Sequence, residues 1–205
     1  MTHSMYKTRS QSVEMTKNTL SEIEKLDEIS FKRKLTKREL ERVWQIATAS
    51  ETNCRFRAIN ILSDYISNKN SDRYKQNAIN ESHWWPRSAW YIALTNFDSR
   101  SVISFLESQF EGERNPNAKY VLGIGMREIK NIKVLKICSS IDSKQPRWIL
   151  AKLEAKYILG EISEDFYKKK LIAMAEVQKN WRFIERYLKN AEVEFPPGMI
   201  NRGFH

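Results

Sequence analysis

Histidine and cysteine are the side chains most ready to do chemistry, and this chain holds few of them. Its histidines are His3, His83 and His205, and two of those lie near the chain ends. No His-x-x-x-His, Cys-x-x-Cys or adjacent His-Glu occurs, so no metal-ligand set is expected. Cys54 and Cys138 stand 84 residues apart, neither a disulfide framework nor a metal motif. They read as buried free thiols in a reducing compartment. Gly123-Ile-Gly125 lacks the third glycine of a dinucleotide fingerprint and follows no strand pattern. There is no P-loop lysine and no supported Ser/His/Asp set. The expectation is no catalytic residue, no metal and no cofactor.

The chemistry that the composition does favour is binding. A net charge of +10 over 205 residues suits nucleic acid, an acidic protein or an anionic surface. The plain alternative is charge that only keeps the chain dispersed. Six tryptophans invite the same weighing. At helical spacing tryptophan is usually core. His83-Trp84-Trp85, however, precede Pro86 at a helix mouth, beside Arg87, where they could stack a base or anchor a protein.

Two basic clusters stand out. From Lys32 to Arg42 there are six Lys/Arg against two Glu, which reads as a solvated helix face. Between 168 and 189, Lys168, Lys169, Lys170, Lys179, Arg182, Arg186 and Lys189 face Glu176 and Glu185. Arg182, Arg186 and Lys189 share one face at helical spacing. Such clusters could rim one groove.

Helices must position these groups. With 41% hydrophobic residues, six glycines and five prolines, the chain can build a core and is poor in loop formers. Residues 1–18 are polar and aperiodic and read as a flexible basic tail. Thr19–Ser30 carries Leu20, Ile23, Leu26 and Ile29 at helical spacing, with Ser21 and Glu24 as a capping pair. Thr36 with Glu39 is a second capping box, ahead of the stripe Leu40, Val43, Trp44 and Ala47. Asn53 is read as the cap of the next helix, to about Ser67, and Ser67–Asp72 as a break before a short helix over 73–80. Pro86, Pro116 and Pro146 sit in first turns, where proline is tolerated. Asp98 or Ser99 starts the partner of the Pro86 helix. Gly160 reads as a C′ residue, Ser163 as a cap, and 181–190 as the last helix. Residues 193–205, with Pro196-Pro197-Gly198, form a C-terminal tail. No secretory leader and no membrane-spanning run is recognised, so a cytoplasmic location is expected.

The three prolines recur every thirty residues. Around them lie RFRAINIL (55–62), PRSAWYIAL (86–94), PNAKYVLG (116–123) and PRWILAKL (146–153). A small residue followed four later by an apolar or small one recurs as Ala58/Leu62, Ala89/Ala93, Ala118/Leu122 and Ala151/Ala155. Helix pairs at this period bury a face only by stacking. Over roughly residues 53–178 the chain resembles the short, bacterial type of HEAT-like repeat. That resemblance implies an all-α fold over 19–192: a short right-handed α-solenoid of stacked antiparallel helix pairs with a concave binding surface.

The same alignment sets Arg57, Arg87 and Arg147 at one repeat position, with Asn117 between. In HEAT-like repeats such a position braces neighbouring units through the guanidinium fork; the other reading is a ladder for phosphates or carboxylates. DNA glycosylases of this repeat type use a Trp and a carboxylate, and here the nearest match is Trp181 with Glu185, without the usual aspartate. The primary reading is a non-enzymatic scaffold holding an acidic protein partner, as an adaptor, inhibitor or immunity-type protein. His83, Trp84, Trp85, Arg57, Arg87, Arg147, Arg182, Arg186 and Lys189 are its expected contact residues. The alternative is nucleic-acid binding, including a HEAT-like DNA glycosylase. No membrane partner is expected.

Overall fold

The computed structural model describes residues 2–177 and 182–192, and side chains from residue 16 onward except at 177–183 and 185. Among these residues the chain is all-α: eleven α-helices, a 3-10 turn and no strand. It divides into two compact units, Met1–Gly125 and Met126–His205. Among the described residues no helix is long and apolar enough to cross a membrane.

The first unit holds α1 (Thr2–Lys32), α2 (Lys37–Ala49), α3 (Thr52–Leu62), α4 (Ser71–Asn80), α5 (Trp84–Thr95), α6 (Arg100–Gly112) and most of α7 (Pro116–Glu128). Local signals set most boundaries. Thr36 and Glu39 form the full capping box of α2. Asn115 Oδ1 accepts from the N–H groups of Asn117 and Ala118 at 2.9 and 3.1 Å, opening α7 beside Pro116. Ser99 is the N-cap residue of α6.

Three expectations change. Residues 2–18 continue α1; this stretch has no glycine or proline, so nothing local stops the helix. Ser21 is therefore helix interior, with no terminus to cap. Helix α3 starts at Thr52 after Glu51, and it ends at Leu62 with a 3-10 turn over Ser63–Tyr65.

Within this unit α1 packs on α3 and α3 on α5, while α4 packs on both α5 and α6. The centre is aromatic. Trp44 and Trp90 stack with ring centroids 5.5 Å apart, and Tyr74 meets both edge-on at 4.9 and 5.6 Å. Such pairs contribute roughly 0.5–1.5 kcal/mol each beyond their buried area. The Tyr74 hydroxyl donates to the Leu62 carbonyl, so its polar end is satisfied inside the core.

The second unit begins in the last turn of α7 and contains α8 (Ile132–Ser140), α9 (Pro146–Ile158), α10 (Glu164–Val177) and α11 (Arg182–Asn190). Its core joins Leu150, Tyr167, Leu171, Ala175, Ile184, Tyr187 and Leu188. Tyr157 and Tyr167 stack at 4.7 Å. Two helices here end in the same motif. In α9, Gly160 has φ +73°, its N–H reaches Tyr157 O, and Glu161 N–H reaches Lys156 O. In α7, Lys130 takes that left-handed position with φ 54°, and Asn131 N–H reaches Met126 O. These are Schellman caps, one with glycine and one without.

All eight residues of the small-and-apolar series, from Ala58/Leu62 to Ala151/Ala155, are buried. Trp44, Trp90 and Trp148 are core, and Cys54 and Cys138 are buried free thiols.

Candidate functional site

The sequence-predicted contact residues are held by their own chain to very different degrees. His83 is the N-cap of α5, its Nδ1 accepting from Trp85 N–H at 3.3 Å. Its ring lies 6.2 Å from that of Trp84. Trp85 stacks on Phe56 of α3 at 4.5 Å. Both tryptophans are half-buried. The helix mouth is thus assembled from capping and packing, with one flank of Trp85 already occupied.

Arg87 is clasped. Its Nε and Nη2 donate to Glu113 at 2.8 and 3.0 Å, and its Nη1 donates to the carbonyls of Glu81 and Ser82. The Tyr91 hydroxyl donates to the same Glu113 carboxylate at 3.0 Å. Burial pushes the Glu113 carboxyl up. The Arg87 guanidinium, the Asn115 N–H and Tyr91 more than offset this and hold it below the usual carboxylate range.

The equivalent of Arg87 in the preceding odd-numbered helix is Arg55, and this revises the register of Arg57, Arg87 and Arg147. Arg55 and Arg87 each lie four residues past the N-cap of their helix. Arg55 donates from Nε and Nη2 to Glu81 at 2.9 and 3.0 Å and from Nη1 to Ser50 O. Both clasps join an arginine in one helix to a glutamate twenty-six residues on, just ahead of the next odd-numbered helix. Arg57 sits half a turn further and makes an exposed pair with Glu24 at 2.9 Å. Arg147 sits two residues past the Gln145 cap and donates to that residue's Oε1 at 3.2 Å.

In the second unit, Arg186 donates to Glu128 and lies 5.7 Å from the Tyr187 ring. Lys189 is exposed in the last turn of α11. The Arg182 and Glu185 side chains and Trp181 lie outside what the structure describes. The most buried charge here, Arg127, carries no sequence signal of its role. Its Nε donates to Glu154 at 2.6 Å, Nη2 to the Tyr187 hydroxyl at 3.2 Å, and Nη1 points at Cys138 Sγ at 3.8 Å.

A cleft of about 230 Å³ lies over the Arg55–Glu81 clasp, lined also by Thr48, Asn77, Asn80, Ser82 and Trp90. The arginine on its floor already donates at three nitrogens, so the cleft offers a ligand little free charge. Among the described residues, no three His, Cys, Asp or Glu side chains converge to ligate a metal.

One cluster of exposed charge lies at the corner between α1 and α2. Lys32, Arg33, Lys34, Lys37 and Arg38 are all exposed, and Phe31 at the end of α1 is 88% exposed. The arginines at 33 and 42 are neutralised: Arg33 by Glu39 at 2.7 Å, Arg42 by Glu22 at 2.7 Å. Lys32, Lys34, Lys37 and Arg38 have no carboxylate partner among the described residues.

The corner is nevertheless firmly built. Leu35 is buried, and its N–H donates to the Tyr65 hydroxyl at 2.8 Å. Arg33 donates through two nitrogens to Glu39 and also to the Lys34 carbonyl. Thr36 donates to Glu39 from its N–H and its hydroxyl, each at 2.8 Å. The Arg33 guanidinium foremost, and then Thr36, hold the Glu39 carboxyl down to about 2. The sequence flags this basic run as a solvated helix face, and its cations are exposed; the exposure of Phe31 at its edge carries no signal in the sequence.

No family model matches this sequence, and no curated protein or solved structure matches it.

Proposed function

We propose that this chain is a non-enzymatic binding scaffold of stacked helix pairs that holds an acidic protein partner. The observation that carries the reading is the α1–α2 corner, where four exposed cations without carboxylate partners among the described residues follow an exposed phenylalanine within seven residues of chain. The chain's net +10 supplies a wider field of the same sign. Packing of α3 on α5 and of α4 on α6, with the Arg–Glu clasp repeated at Arg55 and Arg87, supports the HEAT-like solenoid reading. Two buried thiols fit a reducing compartment such as the cytoplasm.

The test is retention on the immobilised full chain, with and without nuclease, at low and high salt. An acidic protein retained through nuclease and released by salt is the expected result. Retention of nucleic acid alone overturns the reading. The net charge also favours a second reading, binding of nucleic acid. Affinity for an oligonucleotide that falls steeply with log salt would establish it.

A further inference from the structure

We infer that the α1–α2 corner is the docking point of this scaffold and that its occupant is a short acidic segment carrying one bulky apolar side chain. The inference rests on the acidic-partner reading above and specifies its chemistry.

The apolar element is Phe31. At 88% exposure it is the most exposed of the large hydrophobic side chains among the described residues. An aromatic left in water at the end of a helix gains nothing for the fold, but desolvated by a partner it is the kind of anchor that dominates an interface. The polar element is Lys32 at the end of α1, Lys34 in the link, and Lys37 and Arg38 at the start of α2, all exposed. Lys37 and Arg38 occupy the first turn of α2, where the helix dipole disfavours positive charge. Placing two cations there breaks a local rule, and such breaks tend to mark sites kept for function.

The corner is also preorganised. The Leu35–Tyr65 hydrogen bond, the Arg33–Glu39 fork and the capping box fix the link in one geometry before any partner arrives. A partner then loses little affinity to ordering this side of the interface.

Charge layout argues for a peptide rather than a long phosphate backbone. The turn of α1 just before the corner exposes Asp27 and Glu28, for which no cationic partner is found among the described residues. These two carboxylates border the positive run on the α1 side, which favours a short anionic segment over an anion that runs on past the corner. Of the arginines in the corner, Arg33 and Arg42 are paired with Glu39 and Glu22, which leaves Arg38 as its one guanidinium without a carboxylate partner among the described residues.

The test uses the full chain and three labelled probes in an anisotropy titration: a short glutamate-rich peptide with one central leucine, the same peptide with alanine at that place, and a short oligodeoxythymidylate. The leucine peptide is expected to bind tightest. Phe31→Ala is expected to weaken it roughly tenfold to thirtyfold while leaving the melting midpoint unchanged, since so exposed a ring contributes little to the core. Lys34→Glu/Lys37→Glu is expected to weaken both peptides, and Lys169→Glu on α10 to change neither. Equal binding of the two peptides overturns the role of Phe31. If the leucine peptide binds Phe31→Ala and Lys34→Glu/Lys37→Glu as it binds wild type, the corner falls while the acidic-partner reading stands. Binding of the oligonucleotide and neither peptide overturns both.

Discussion

Arg127 Nε lies 2.6 Å from Glu154 Oε2, with the guanidinium side chain wholly buried and the carboxylate nearly so. Taking two charges out of water is expensive, and their attraction compensates only when the remaining donors are also met. Here Tyr187 and Cys138 meet them. Burial works against the Arg127 charge, and the surrounding Tyr187, Glu154 and Cys138 more than restore it, leaving its pKa above the ordinary arginine value.

Removing one partner should therefore be severe. Glu154→Leu is expected to destabilise the protein by about 3–5 kcal/mol, because it strands a buried cation. Arg127→Met/Glu154→Leu together should regain most of that loss. Urea unfolding checks both, and a Glu154→Leu cost under about 1 kcal/mol would contradict the account.

The Arg87–Glu113 clasp predicts a pH signature. Glu113 is held below its ordinary range in the fold, so the unfolded chain takes up its proton first as pH falls. The clasp's contribution is full above the unfolded carboxyl pKa of about 4.3 and disappears as pH drops through the lower folded value. Arg87→Ala should accordingly cost more at neutral pH than in acid. Denaturation curves of wild type and variant that stay equally separated down to the most acid condition would refute this.

Glu39 offers a sharper titration. Its carboxyl should be followed by NMR to a midpoint near 2, far below the ordinary glutamate value. Arg33→Ala should move that midpoint up most and Thr36→Ala less, since the guanidinium contributes more than the cap. The opposite order would mean that the fork to Arg33 is not what holds the carboxylate.

The two Schellman caps should respond to substitution with opposite signs. Lys130 sits at φ 54°, where a β-carbon is unfavourable, so Lys130→Gly is expected to stabilise by about 1 kcal/mol. A β-carbon at Gly160, where φ is +73°, would meet open space, so Gly160→Ala should destabilise by about 1 kcal/mol through backbone strain alone. Thermal melts of the pair read both effects, and shifts of the same sign would contradict the shared motif.

Much of this architecture is legible in the sequence because its signals are local. Thr36 with Glu39, Asn115 with Pro116, Pro146 and Gly160 each act within a turn of where they stand. The alanine series and three of the tryptophans declare the core by size and spacing. The arginine register is hidden for a physical reason. Proline marks the starts of α7 and α9 and the first turn of α5, but α3 has none, so alignment on proline selects Arg57 in place of Arg55. The partner glutamates lie twenty-six residues downstream, beyond any helical period. The capping role of His83 is not legible in the sequence, because it depends on the backbone N–H that its Nδ1 accepts from.

The pairing of arginines inside the chain leaves the exposed corner charged chiefly by amines. Lys32, Lys34 and Lys37 lose their charge on acylation, and guanidinium groups do not react in the same way. Mild treatment with acetic anhydride would therefore strip three of the corner's four unpartnered cations while leaving the Arg55 and Arg87 clasps chemically intact. Acylation thus separates two kinds of positive charge in this chain, the reactive amines of the corner and the guanidinium groups that join one helix to the next.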